Sequence, residues 1–159
     1  MDFDLSGPDD EDWRVPVSEL SDRRKRVSDA LAEAGYESVI IQDPVELYWL
    51  TGGRQNSMLL IGASDTDVES THLVKKSLPR ALWESGGRNS PDPVIQQPRS
   101  SELENWFKSV GVTRIPATLG STLPHSRRLY LSECLLGFED RREDASKMLH
   151  RLRETKSPW

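Results

Sequence analysis

The side chains in this sequence that are equipped for chemistry stand apart from one another. His72, His125 and His150 are isolated, without the HExxH pair or His/Cys cluster that lets a protein collect several ligands around one metal ion. They read as surface or structural histidines. Asp65-Thr66-Asp67 has the spacing of a DxD metal motif. Aspartate also favours turns for its own hydrogen-bonding reasons, and a solvated turn between two strands is the commoner source of such a pair. Cys134 has leucines on both sides and neither a histidine nor another base beside it, so it reads as a small buried hydrophobe. Glu102 and Glu104 fall at a helix start, where the helix dipole favours acids. No GxSxG elbow, P-loop or GxGxxG is present. Catalytic machinery is not legible in this chain.

One stretch remains, ELYWLTGGRQNS, residues 46–57. Large side chains run into Thr51, two glycines and a polar string. Three readings are open: a ligand cradle, a helix end that needs glycine, or a loop shaped to meet another chain. Gly52 is most simply a C-cap glycine with positive φ. Tyr48 and Trp49 are adjacent, so on a helix they point about 100° apart. One is expected to pack inside while the other covers a helix end or lines an interface. Trp49, Gly53, Arg54, Gln55 and Asn56 are the candidates for a functional loop. The planar fork of Arg54 suits a substrate carboxylate or an interface acid, with a solvated loop arginine as the plain alternative.

These residues need elements to hold them. Pro16 and Ser18 introduce a helix in which Leu20, Val27, Leu31 and Ala34 recur at helical spacing, and Gly35 stops it. Its Arg23–Arg26 run reads as the wet side. SVIIQ (38–42) is a short buried strand. Asp43-Pro44 is an N-cap and first-turn pair for a short helix closed by Thr51-Gly52-Gly53. SMLLIGA (57–63) and STHLVK (70–75) are strands, and SLPRALWES (77–85) is a helix with Ser77 as cap. Trp83 and Trp106, each on a helix face, read as core or partly hidden packing. GGRNSPDP (86–93) is a loop and VIQQ (94–97) a weak strand.

Ser101 and Glu104 have capping-box spacing, followed by an apolar face of Leu103, Trp106, Phe107 and Val110 up to Gly111. TRIPATL (113–119) suits a strand, with Pro116 placing it at an edge or bulge. A helix from Pro124 to Gly137, a short strand FEDRR, and a helix capped by Asp144 with Ala145, Met148, Leu149 and Leu152 on one face complete the chain. Strands and helices alternate for about six rounds. The expected fold is α/β: a mixed, about six-stranded sheet with helices on both faces.

The length, 159 residues, fits one domain with a real core. The net charge of −5 belongs to the first twelve residues, which hold six acids and no base; the rest carries 20 acids against 21 bases. Residues 1–15 therefore read as an acidic, disordered tail on an electrically balanced body. Neither nucleic acid nor an anionic membrane is an expected partner. No apolar run approaches the roughly 20 residues of a membrane helix, and no signal peptide is visible. A single cysteine permits no internal disulfide, which fits the cytoplasm.

Three segments in order carry a family resemblance. RRKRVSDALAEAGYESVIIQDPVELYWLTGG resembles the opening of the N-terminal domain of the creatinase, prolidase and aminopeptidase P family, through Arg23 to Arg26, Gly35 to Ile41, Pro44 and Tyr48 to Gly52. SMLLIGA stands where that family has its next strand. ASKMLHRLRETKSPW is similar to the family's inter-domain helix and its LRxxKSPxE junction, through Leu152, Arg153, Lys156, Ser157 and Pro158.

The resemblance implies a creatinase-N-terminal-domain-like fold over residues 16–143. It makes 144–159 a linker helix toward a C-terminal catalytic domain absent from this chain. That domain would hold two divalent metal ions, manganese or cobalt with zinc a third candidate, so no cofactor is expected in this chain itself. The implied role is non-catalytic: dimerising a metal-dependent Xaa-Pro peptidase and walling the partner subunit's active site. The implied partners are its own catalytic domain, a second copy and the parent's peptide substrate. A stand-alone peptide-binding module and the N-terminal domain of a creatinase-like amidinohydrolase remain open beside it.

Overall fold

The computed structural model describes residues 14–53, 55–118 and 145–154. Arg54, His125, Cys134, the expected 124–137 helix, the FEDRR strand, the Asp144 cap and residues 1–13 of the acidic tail lie outside the described residues, while Arg14 donates to Trp83 O and Val15 is buried.

Helix α1 (Val17–Ala34) starts on the carbonyl of Pro16, which accepts from Glu19 and Leu20 N–H, and stops at Gly35 in the left-handed conformation. Leu20, Arg23, Val27 and Leu31 form its buried stripe. Strand β1 (Ser38–Ile41) follows, buried along its whole length. Asp43 then caps α2 (Pro44–Thr51), accepting from Val45 N at 2.8 Å and Glu46 N at 3.3 Å with Pro44 at the first helical position. This is the geometry that an Asp-Pro pair predicts.

Strands β2 (Ser57–Gly62) and β3 (Thr71–Val74) continue the sheet antiparallel, Ile40 facing Leu60 and Leu59 facing His72. The short helix α3 (Leu78–Glu84) and a 3-10 turn lead to β4 (Val94–Gln96), which lies parallel to β3. The sheet is thus mixed, in the order β1-β2-β3-β4. Helices α4 (Ser100–Ser109) and α5 (Ser146–Glu154) complete the described elements.

Alternation along the strands divides the core in two. Val39, Ile41, Leu59 and Ile61 point to one face, where α1, α2 and α5 bring Leu31, Leu47, Leu50 and Leu149. Ile40, Met58, Leu60 and Leu73 point to the other, covered by Leu103 and Phe107 of α4 with Val112 beyond it. Each such side chain contributes roughly 1.5–3 kcal/mol by leaving water. Helices on both faces of a mixed sheet are what the alternating pattern predicts.

Four expectations are corrected. The sheet has four strands among the described residues, not about six. Segment 113–118 joins β1 through a parallel bridge, Ala117 to Val39, one residue after Pro116, which has no N–H for a ladder. The capping box of Ser101 and Glu104 does not form. Helix α4 starts two residues early, with Arg99 rather than Ser101 at the N-cap; the Arg99 carbonyl accepts from Glu102 N, and Arg99 makes no side-chain cap bond. Ser77 stands at the N-cap of α3 but in the left-handed region, φ 62°, and its side chain caps nothing.

The fourth correction concerns Arg23–Arg26, which is not a wet face. Arg23 is buried beside Leu20 and Val27, and Arg24 and Arg26 are largely enclosed. Lys25 alone of the run is exposed; Arg23 and Arg24 reach other elements, and Arg26 pairs with Asp22 of α1 itself.

Candidate functional site

The loop after α2 is fixed from both ends. Thr51 Oγ1 donates to Leu47 O at 2.6 Å and accepts from Gly53 N at 3.2 Å, so one hydroxyl ties the last helical turn to the first loop residue. Gly52 lies in the left-handed region, φ 75°, and its N–H returns to Tyr48 O. A Cβ there would meet the carbonyl oxygen of Glu84 at 2.8 Å. Glycine is therefore required twice over, by its backbone angle and by the close approach of the C-terminal end of α3.

The candidate residues divide into two groups. Gly53 is buried against Glu84, and Gln55 Nε2 donates to Glu84 Oε1 at 2.8 Å. That oxygen also accepts from Arg80 Nε at 3.1 Å, so Glu84 gathers the loop onto α3. Asn56 is exposed, and its carbonyl accepts the N–H of Lys75 as β3 ends.

Trp49 goes elsewhere. Its half-buried ring packs onto the α1 side of the core, with the guanidinium groups of Arg23 and Arg26 at 5.4 and 5.7 Å from its centroid. Arg23 Nη1 donates to the Trp49 carbonyl at 2.8 Å, and Arg23 Nε pairs with Glu19. A cation is thus placed at the C-terminal end of α2, where the free carbonyls and the dipole favour it. Tyr48 is the more exposed of the two aromatics, at 38%, and Trp49 is the one that packs.

Several consequential residues escaped sequence reasoning. Arg24 makes a two-armed pair with Asp92 in the loop before β4, one arm Nη2 to Oδ1 at 2.7 Å and the other Nε to Oδ2. His72 is buried on β3 with Nε2 2.8 Å from Ser57 Oγ, and burial pushes its pKa down to about 4, the charge of Asp92 opposing only in part. Glu46 is only 1% exposed, although it lies in the first turn of a helix. Burial raises its pKa, opposed by Arg153 and His150 of α5 and reinforced by Asp43. Only Arg23 left a signal: three residues after Leu20 and four before Val27, it completes the apolar period.

Among the described residues, no three His, Cys, Asp or Glu side chains converge as a metal site needs. Among the described loop candidates, Gly53 and Gln55 meet the Glu84 carboxylate, which accepts from Gln55 and Arg80. The described residues of the loop present a shaped, anchored edge.

A family model for the creatinase/prolidase N-terminal domain matches residues 23–155. The chain belongs to that family. As a creatinase/prolidase N-terminal domain it shares its fold with several solved structures. Xaa-Pro dipeptidase from Bacillus anthracis superposes with TM-score 0.69 at 15% identity, covering 87% of this chain and 37% of that one. Dipeptidase PepE from Mycobacterium ulcerans gives TM-score 0.69 at 20% identity, covering 91% and 39%. The N-terminal domain of cytoplasmic peptidase PepQ from Mycobacterium tuberculosis H37Rv gives TM-score 0.63 at 20% identity, covering 83% of this chain and 98% of that one.

The creatinase/prolidase N-terminal domain thus spans less than two-fifths of the first two chains. A comparison with curated protein sequences returns no match. No helix among the described residues is long and apolar enough to cross a membrane.

Proposed function

We propose that this chain is the non-catalytic N-terminal domain of a cytoplasmic, metal-dependent Xaa-Pro peptidase, which it dimerises and whose partner active site it walls. The observation that carries the reading is one of extent. The family model covers nearly the whole described body, while the fold accounts for 37–39% of two dipeptidase chains and 98% of a solved N-terminal domain. The anchored loop supports the walling role. Glu84 and the Thr51 hydroxyl hold Gly53 and Gln55 without help from a ligand, and a pre-set loop restricts a neighbouring cleft at little entropic cost. Under this reading Arg54 meets a substrate carboxylate or an interface acid, and Trp49 supports the loop from behind. On the same reading the divalent metal, manganese, cobalt or zinc, belongs to the catalytic domain of the parent protein.

Two preparations test the reading. The 159-residue chain is expected to hydrolyse no Xaa-Pro dipeptide with or without Mn²⁺ or Co²⁺. The product of the complete reading frame is expected to be dimeric and to turn the same peptides over in a metal-dependent way. In that product, Arg54→Ala should raise KM or weaken the dimer while leaving Tm in place. Turnover by the 159-residue chain, or a complete product without turnover, overturns the assignment. Unchanged kinetics and unchanged mass in Arg54→Ala remove Arg54 from the site.

A further inference from the structure

Helix α5 is docked by two unlike means. Ala145 and Leu149 are buried in the cluster shared with α1 and α2, and Met148 and Leu152 pack against it. That amphipathic face alone suffices to hold a surface helix. On the same helix, however, Arg153 Nη1 lies 2.7 Å from Glu46 Oε1 and His150 Nε2 lies 3.8 Å from it.

The position of Glu46 makes this unusual. An acid in the first turn ordinarily stays in water and serves its own helix. Here Asp43 already receives the Val45 and Glu46 N–H groups, so α2 does not need Glu46. The carboxylate is instead turned under α5. Its contact with Arg153 is ionic without hydrogen-bond alignment, and Oε2 has no hydrogen-bond partner among the described residues. The charged groups acting on it are Arg153 and His150 from α5 and Asp43 from α2. Val27 and Leu31, the contribution of α1 to the joining cluster, are apolar. Among the described residues, the cation paired with Glu46, Arg153, therefore comes from α5, as does the neighbouring His150 ring.

We propose that Glu46 makes α5 a latch: the helix stays docked while Arg153 compensates the buried carboxylate and releases as a unit when that compensation is lost. A buried carboxylate that keeps its cation is near break-even, whereas one stripped of its cation is strongly unfavourable and is relieved by exposing the site to water. The site re-hydrates most simply by lifting α5, since the sheet and α1 are bound to α2 independently. The proton acts in the same sense. Burial raises the Glu46 pKa against the lowering charge of Arg153, so its contribution to the folded state is full below the ordinary carboxylate range and declines as pH rises through the raised value. The inference concerns the attachment of α5 and stands whether or not the parent protein is a peptidase.

Hydrogen-exchange protection factors of the α5 amides, compared with those of β2, test it in the 159-residue chain. Arg153→Met is expected to lower α5 protection about tenfold with β2 unchanged, once the effect of a buried unpaired charge is discounted for the one-third exposure of Arg153. Glu46→Gln should leave α5 protection equal or higher. Glu46→Gln combined with Arg153→Met should restore protection to near the wild-type level. Unchanged α5 protection in Arg153→Met overturns the latch. So does a double variant as loose as Arg153→Met alone, which would make Arg153 a packing residue. Loss of β2 protection in step with α5 overturns it too, because the helix would then be an inseparable part of the core.

Discussion

The two faces of the sheet are built by different means. Helix α4 meets its face with Leu103 and Phe107, Trp106 lies edge-on to Phe107 at 5.2 Å, and its Lys108–Glu104 pair runs along the helix itself. On the opposite face the charges run between elements: Arg23 to the end of α2, Arg24 to the loop before β4, Arg153 to Glu46. Apolar packing supplies most of the free energy on both faces but is indifferent to small rotations and slides. Directional, buried pairs cost desolvation and give position in return. The face that has to hold α2, and with it the loop at Gly53–Asn56, is the one fixed by charges.

This contrast can be broken by experiment. Phe107→Ala should cost the most, about 3–5 kcal/mol by chemical denaturation, because a fully buried aromatic leaves a cavity that the sheet cannot close. A loss under about 1 kcal/mol would mean that α4 is not the lid of a packed core. The second effect depends on pH. His72 has its pKa lowered to about 4, so the folded state resists its protonation. Stability is expected to fall as pH drops from the ordinary histidine range toward 4, by up to about 3 kcal/mol, and to fall less in His72→Gln. Glu46 acts with the opposite sign, so Glu46→Gln should steepen the wild-type acid loss.

Arg23→Met follows, at about 1–2 kcal/mol, the scale of a charge-assisted bond to a helix-end carbonyl. If the opposite face is truly fixed by charge, this variant should also broaden the NMR signals of Trp49 and Gly53 while those of Phe107 stay sharp. Arg80→Ala should do least, within about 0.5 kcal/mol, since its pair with Glu84 is half in water. A larger loss would mean that Arg80 is needed to hold Glu84 against the loop.

The apolar face was the legible one. The spacing of Leu103 and Phe107, the runs in β1 and β2, and the stop signals at Gly35 and Gly52 all act through local rules that a sequence displays. Asp43-Pro44 is of the same kind, and its cap formed as expected. What could not be read depends on partners distant in the chain. Gln55 finds Glu84 across 29 residues. Arg24 finds Asp92 across 68. Glu46 looks like any acid at a helix start until α5 covers it. Arg23 shows how near the line lies: its place in the α1 period was visible, but a charged residue is not expected in an apolar stripe. The family resemblance was carried by the ends of the chain, and the match over residues 23–155 bears it out. Of the candidate loop, the glycine logic was legible and the anchoring by Glu84 was not.

Strand β4 has a consequence for how this domain survives in a crowded solution. It is the outermost strand of the described sheet, only three residues long, with Pro93 before it and Pro98 two residues after it. Pro93 still lends its carbonyl to His72 N–H, and Gln97 N–H reaches Val74 O, so the inner side of the edge is fully used. Neither proline has an N–H to offer an incoming strand, and three residues are too few to template one. Strand β4 thereby offers an incoming strand little to pair with.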